Sequence, residues 1–432
     1  MGHRLAVTAR FFTHLFRDVL GTFRARLLRW HRRVVEGEDR LVVGVDIFPF
    51  FEKMTGVGWY TWNLLAHLPE VDPALEVNLY AHAFAAPDEP SPPPLPVLHR
   101  RVRFRFHHLP AGFLLPVAPT IRFLRATLEP LLMFLDGNDL YFAPNFFVPR
   151  RHLPAARRLA ATVHDLAWAR LPETVQGETL DNLRRHLPAA LFGADALIAV
   201  SQATGDDLSL LCAVSARRIH VIHEGVDAVF LDGQPPPPVT ALPARYVLFV
   251  STLEPRKNII GVLRGFAAAA AAGYPGALVL VGRWGWRTEQ ARKELEASPV
   301  RERIVHLDYV GRGELRAILG GAEALLFPSL LEGFGLPVVE AMACGVPVIV
   351  SNVSSLPEVA GEAGVYVDPR DHVGIGRAIL RVTGDAAERR RLAELGRARA
   401  QRFSWRRAAE ATAAVFRRVA DVPSRYPDAY RV

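Results

Sequence analysis

Apolar residues in this chain gather into short unbroken runs. The first is Leu41-Val42-Val43-Gly44-Val45-Asp46, and similar runs occupy 159–163, 196–200, 219–222, 246–250, 277–281, 324–327 and 346–350. A run of four to six apolar residues closed by a turn is the pattern of a strand buried on both faces, as in a parallel sheet. Segments of helical spacing lie between many of these runs. The alternation predicts an α/β fold of doubly wound parallel sheets with helices on both faces.

A chain of 432 residues exceeds what one hydrophobic core usually supports, so two domains are expected. Asp232-Gly233-Gln234-Pro235-Pro236-Pro237-Pro238 reads as a stiff linker, and the strand–helix alternation restarts at Tyr246. The expected organisation is a leader over 1–40, a Rossmann-like domain over 41–234, a Pro-rich linker over 235–244 and a second Rossmann-like domain over 245–403. A helix with a tail, 404–432, is expected to return to the first domain. The Pro-rich stretch 87–96 reads as a surface loop, and no internal repeat is evident.

The leader has a pattern of its own. Phe11, Phe12, Leu15, Phe16, Val19, Leu20, Phe23, Leu27 and Trp30 fall near helical spacing, with Arg10, Arg17, Arg24, Arg26, Arg29, Arg32 and Arg33 interleaved. Such a basic amphipathic helix can lie in the headgroups of an anionic membrane. It can equally pack on the body with a solvated Arg face, or serve as a transit peptide. Arg100, Arg101, Arg103 and Arg105, followed by apolar 113–115, form a second candidate patch.

Charge and cysteine content narrow the classes. Residues 1–40 hold nine Arg against four acids, so five of the eight formal positive charges belong to the leader. The rest is close to balanced, which excludes a nucleic-acid binder with a basic surface over its whole body. Cys212 and Cys344 form no CxxC pair, so neither a disulfide scaffold nor a zinc site of the usual spacing is expected, and a reducing cytosol fits. The longest uncharged stretch, 265–281, is broken by Gly273-Tyr274-Pro275-Gly276 and is not expected to cross a bilayer.

Two segments carry candidate chemistry, both at predicted strand ends, where open α/β sheets bind ligands. After 246–250 comes Ser251-Thr252-Leu253-Glu254-Pro255-Arg256-Lys257-Asn258. Two adjacent cations before a helix opened by Asn258 suit a diphosphate: Arg offers a planar fork and Lys a point charge. After 324–327 comes Pro328-Ser329-Leu330-Leu331-Glu332-Gly333-Phe334-Gly335-Leu336-Pro337-Val338-Val339-Glu340. Gly333 and Gly335 let backbone approach a ligand, and Pro337 fixes the first turn of a helix whose initial amides favour phosphate oxygens. Glu340, one turn in, is placed to accept both hydroxyls of a ribose diol, and Glu332 those of a sugar beyond the diphosphate.

With Glu332 and Glu340 spaced as Glu-x7-Glu, the segment 331–367 resembles the retaining glycosyltransferases of family GT4, which have the two-domain GT-B fold. The resemblance is to the mannosyltransferase-type branch. Ala341-Met342-Ala343-Cys344-Gly345-Val346-Pro347-Val348, Ser354-Ser355-Leu356-Pro357-Glu358, Leu253-Glu254-Pro255-Arg256-Lys257-Asn258, Val281-Gly282-Arg283-Trp284-Gly285-Trp286 and His164-Asp165 extend it over about residues 41–420. It implies two Rossmann-like domains facing a central cleft, the first binding acceptor and the second a nucleotide sugar. Lys257 and Arg256 would neutralise the donor diphosphate, Glu340 would bind ribose, and Glu332 the transferred sugar. Backbone over Gly333, Phe334, Gly335 and Leu336 would hold phosphate and sugar oxygens. His164 would approach the donor sugar near its reacting carbon, and a Gly56-Val57-Gly58 loop would approach phosphates or acceptor. Thr252 stands where many relatives carry Arg, so Arg256 would supply that charge, while Thr55 and Trp59 depart from the commonest family pattern.

The implied reaction moves a hexose, mannose foremost, from a nucleoside-diphosphate sugar to a saccharide that a membrane-hugging leader suggests is lipid-linked. Cell-surface polysaccharide or glycolipid synthesis is the implied setting. No cofactor is expected, and with no DxD sequence a metal is not needed to explain diphosphate binding. A GT-B nucleotide-sugar epimerase and a non-catalytic nucleotide-sugar-binding protein are the alternatives. A Rossmann dehydrogenase is excluded, since no strand is followed by GxGxxG with an acid about 20 residues on.

Overall fold

The computed structural model describes residues 27, 40–47, 56–80, 102–105, 133, 135–145, 156–231 and 242–421. Apart from Leu27 and Arg40 the leader lies outside the described residues, as do Thr55, the 87–96 loop, Arg100, Arg101, 113–115, the linker up to 241 and the tail from 422.

Two sheets organise the chain. The first contains β1 (Leu41–Asp46), β2 (Leu75–Tyr80), β3 (Val102–Arg105), β4 (Leu140–Ala143), β5 (Arg158–Val163), β6 (Ala196–Ala199) and β7 (Ile219–Val221), in the order β3-β2-β1-β4-β5-β6-β7. The second contains β8 (Tyr246–Val250), β9 (Ala277–Val281), β10 (Ile304–Leu307), β11 (Ala324–Phe327), β12 (Val348–Ser351) and β13 (Gly364–Val367), in the order β10-β9-β8-β11-β12-β13. Every pairing of the second sheet is parallel, as are those joining β1 to β2 and β4, β2 to β3, and β4 to β5. Both sheets follow the doubly wound order 3-2-1-4-5-6, whose direction of winding reverses between the first and fourth strands.

All eight apolar runs are strands. β2, β3, β4, β10 and β13 were not among them, because polar residues interrupt them or they are very short. β2 is the clearest case: Glu76 and Asn78 are buried within Leu-Glu-Val-Asn-Leu-Tyr. Each has a partner that offsets its lost hydration. Arg40 Nη1 donates to Glu76 Oε1 at 2.7 Å, and Asn78 Nδ2 donates to Asn138 Oδ1 at 2.9 Å.

Packing divides the chain into two compact units. Among the described residues, one takes those up to Thr162, His186–Ile198 and those from Ala409 to Asp421; the other takes Val163–Arg185 and those within Ala199–Ala408. The second unit thus includes the described residues 163–185 and 199–231, which precede the Pro-rich stretch, although β7 within them pairs in the first sheet. In the first unit, the later part of the helix Trp405–Asp421 lies on the first sheet's elements. The Phe416 ring centroid is 4.9 Å from that of Phe142, Arg158 Nε donates to Val419 O at 3.0 Å, and Arg417 pairs with Asp72 at 2.8 Å.

One expectation is corrected here. Gly56-Val57-Gly58 is not a loop but the first turn of the helix Gly56–Val71. The apolar spacing that continues through Tyr60, Leu64, Leu65 and Leu68, all buried, carries the helix back over both glycines. Among the described residues no helix is long and apolar enough to cross a membrane.

Candidate active site

The winding of the second sheet reverses between β8 and β11, and the two candidate segments leave the carboxyl ends of those strands. After β8, Pro255–Lys257 makes one 3₁₀ turn, and Asn258 at φ 60° starts the helix Ile259–Ala271. The Asn258 side chain accepts from Gly261 N at 3.2 Å. Its Nδ2 donates to Pro328 O at 2.9 Å and Pro369 O at 2.7 Å, just beyond β11 and β13. One amide thereby fixes the cationic turn to two other strand exits.

The cations are tied to carboxylates. Lys257 Nζ lies 2.6 and 2.7 Å from Glu332 Oε1 and Oε2. Arg256 donates from Nη2 to Glu254 Oε1 at 2.9 Å and from Nη1 to Leu331 O at 3.0 Å. Its Nη1 also stands 3.5 Å from Glu332 Oε2 and 3.6 Å from Asp165 Oδ2. Burial works against the Arg256 cation, but Asp165, Glu332 and Glu254 more than offset it and raise its pKa. Burial likewise opposes ionisation of Asp165, yet Arg256 and the Ala167 amide bring its pKa below the usual carboxylate value. Burial raises the pKa of Glu254, with the Arg256 and Lys257 charges opposing. The turn is a preorganised cationic site whose charges are neutralised internally.

After β11 the loop is held from behind by Ser354 and Ser355. Glu332 N donates to Ser354 Oγ at 2.9 Å, and Ser355 Oγ lies 3.0 Å from Glu332 O and 2.9 Å from Phe334 O. Gly333 has no room for a side chain, since a Cβ there would come 1.7 Å from His164 O. Thr204 Oγ1, fully buried, reaches His164 O at 3.3 Å and Gly333 O at 3.4 Å. Gly335 at φ 110° opens the helix Leu336–Ala343, with Pro337 in its first turn. Phe334 is buried, its ring centroid 5.4 Å from Phe403 and 5.9 Å from His223. Its side chain packs the loop, so only its backbone is placed for a ligand. Thr252 is exposed beyond β8.

His164 immediately follows β5, and its Nδ1 is 3.4 Å from Oε1 of buried Glu224. Glu340 is 5% exposed and accepts from Arg312 Nη2 at 3.2 Å, while Arg312 Nε is 3.0 Å from Asp227 Oδ2. Burial lifts the Glu340 pKa to about 7 against the pull of Arg312.

His164, Arg256, Lys257, Glu332, Gly333, Phe334, Gly335, Leu336, Glu340 and Thr252 thus share one compact unit, whereas Gly56 and Gly58 belong to the other. Sequence reasoning gave no role to Glu254, Thr204, Glu224, Asp227 or Arg312. Arg312 did carry a signal: it is the first residue of the helix Arg312–Gly321. A cation there opposes the helix dipole and calls for a carboxylate partner.

Two doubly wound sheets of this order, with anion-suited turns at one switch point, define the GT-B class of glycosyltransferase fold. Sucrose-phosphate synthase from Thermosynechococcus elongatus superposes with a TM-score of 0.63 at 22% identity, over 88% of this chain and 99% of that one. Residues 237–399 match the family model described as Glycosyl transferases group 1, and residues 54–230 match Glycosyltransferase Family 4. The O-antigen chain mannosyltransferase B of Escherichia coli is 33% identical over 283 residues, which is 62% of this chain and 72% of that protein. Glycogen synthase of Mycobacterium tuberculosis (strain ATCC 25618 / H37Rv) is 33% identical over 230 residues, and the chain spans only 54% of its length. The chain belongs to glycosyltransferase family 4, in its mannosyltransferase-type branch, and is a glycosyltransferase. The family relationship favours transfer over the epimerase and scaffold alternatives.

Proposed function

We propose that this glycosyltransferase moves mannose from a nucleoside-diphosphate donor, GDP-mannose foremost, to a saccharide acceptor, with retention of anomeric configuration. The observation that carries the reading is the convergence of Lys257, Arg256 and Glu332 at the switch point of the second sheet, beside the start of the helix bearing Glu340. Mannosyltransferases among the relatives, including the O-antigen chain enzyme, support the sugar assignment.

In this reading the leaving diphosphate gathers negative charge as the glycosidic bond breaks, and Lys257, Arg256 and the amides of 333–336 stabilise that charge. The Lys257 ammonium turns part of its bonding from Glu332 to phosphate oxygens, which releases the carboxylate toward sugar hydroxyls. Glu340 receives the ribose diol, and His164, steadied by Glu224, lies toward the sugar. A leaving-group oxygen takes the acceptor's proton, so no carboxylate has to be the nucleophile. Fixed side-chain charge fulfils the role that a metal would otherwise have, and no cofactor enters the scheme.

The experiment is thermal-shift titration with GDP, UDP, GDP-mannose and UDP-glucose, followed by transfer assays with and without EDTA. A ligand bound only by the folded state raises the melting temperature with log concentration. Stabilisation by GDP and GDP-mannose and EDTA-resistant transfer are expected; indifference to every nucleotide rejects the proposal. We also assign the basic leader to an anionic membrane surface, which would suit a lipid-linked acceptor in polysaccharide or glycolipid synthesis on the cytoplasmic side. Deleting residues 1–35 should move the protein from phosphatidylglycerol-vesicle pellets to the supernatant, and equal pelleting of both forms rejects the assignment.

A further inference from the structure

Arg312 lies outside both candidate segments, yet it reaches one of their acids. Its side chain is 19% exposed, and its guanidinium joins three groups. Nη2 is 3.2 Å from Glu340 Oε1, Nε is 3.0 Å from Asp227 Oδ2, and the guanidinium carbon is 4.8 Å from the Phe230 ring centroid. Phe230, in the short helix Ala228–Leu231, is itself 2% exposed, so this platform is packed. A planar cation between two carboxylates and a ring has little rotational freedom, and its fork fixes where a bonded carboxylate points.

We propose that Arg312 is a positioning residue for donor binding, pairing with the Glu340 carboxylate and aiming it so that both oxygens serve the ribose diol. This rests on the reading of Glu340 as the ribose ligand.

The charges around Glu340 agree with the assignment. Arg312 is the cation bonded to it; Asp227 and Glu224, on the segment that packs beside it, both oppose its ionisation. Cys344, one turn on, is a thiol pushed up to about 12 by burial and by Glu340, so it adds no charge at neutral pH. Arg316 and Arg397 act on that thiol. Glu358, on the packed helix Leu356–Ala360, is engaged elsewhere, accepting from Gln202 N at 2.9 Å and bonding His223 Nε2 at 2.5 Å. Burial leaves Glu340 half-titrated near neutral pH even with Arg312 present. Removing Arg312 would leave a carboxylic acid, which donates where a diol also donates and so loses one of the two bonds.

The test is calorimetric binding of GDP and UDP, each against its 2′-deoxy counterpart, between pH 6 and 9. The proteins compared are the full-length wild type, Arg312→Gln, Arg312→Lys and Asp227→Asn. The wild type is expected to prefer the ribonucleotide by tenfold or more at pH 8, with the preference declining as pH falls through about 7. Arg312→Gln should lose the preference at pH 7 and regain part of it above pH 8, whereas Arg312→Lys should largely retain it. Asp227→Asn should carry the preference to lower pH, since one opposing charge is gone; this keeps the test decisive if Arg312→Gln folds poorly. Profiles unmoved in the Arg312→Gln and Asp227→Asn variants, or loss in Arg312→Gln that no pH restores, overturn the role of Arg312. Absence of any ribose preference in the wild type overturns the Glu340 assignment beneath it, and that outcome is recognisable without any variant.

Discussion

Lys257 Nζ sits between both carboxylate oxygens of Glu332, at 2.6 and 2.7 Å. Glu332 is 6% exposed, so each charge depends on the other for the hydration it has lost. The residue proposed to meet the diphosphate and the residue proposed to meet the sugar therefore hold one another in place. A donor that separates them must replace the bonds that it breaks.

Lys257→Ala is expected to lower transfer turnover tenfold or more, because a charge-assisted hydrogen bond is worth ~1.5–3 kcal/mol. It should also destabilise the fold by about 3 kcal/mol, since Glu332 loses its closest cation. The double variant Lys257→Met with Glu332→Gln separates the two effects: melting temperature recovers and turnover does not. Recovery of turnover in that protein would remove Lys257 from the chemistry.

Gly333→Ala tests the loop's approach to His164. A methyl group 1.7 Å from a carbonyl oxygen cannot be accommodated by rotating a side chain, because both sides of the clash are backbone. A stability loss of about 3 kcal/mol, as in overpacking, is expected together with severe loss of transfer. Wild-type melting and wild-type rates would refute the close approach.

Phe334→Leu separates packing from binding. The ring is enclosed by Phe403 and His223, so the substitution should cost about 1–3 kcal/mol of stability while nucleotide affinity, read by calorimetry, changes less than threefold. A large affinity loss in a well-folded variant would give the ring a direct role.

The raised Glu340 pKa makes a pH prediction. Its value of about 7 in the folded state lies well above the usual carboxylate value of 4.5, so the acid form is favoured by folding. The associated stability is fully present below about pH 4.5 and is lost as pH rises through about 7. Glu340→Gln, which mimics the neutral form, should therefore gain on the wild type between pH 5 and 8, by up to about 3 kcal/mol in unfolding free energy. Parallel melting curves for the two proteins across that range would contradict the shift.

How much of this was legible in the sequence follows from what each residue does. Both turns could be located, because a buried strand announces itself by an apolar run and its exit by polar and glycine residues: Arg256 and Lys257 follow 246–250, and Glu332 to Glu340 follow 324–327. β2 was not legible, since Glu76 and Asn78 break the apolar pattern and are tolerated through distant partners such as Arg40 and Asn138, 36 and 60 residues away. Glu224 and Asp227 stayed hidden for the same reason, and the helix-start position of Arg312 signalled a need for a carboxylate without saying which one. Their significance lies in pairing with His164 and Glu340, and no local spacing records such a pair. Gly56 and Gly58 failed in the opposite way: glycine suggested a loop, but the apolar residues that follow made a helix.

Asn258 has a practical implication for protein engineering. Its amide nitrogen is shared between the carbonyls of Pro328 and Pro369, so three crossings of the second sheet are spliced at a single side chain. Chimeras that import one of these exits from another transferase would inherit a mismatched joint, whereas exchanging all three as a cassette would preserve it. Recombination between relatives should tolerate breakpoints before Tyr246 or after Pro369 far better than breakpoints between them.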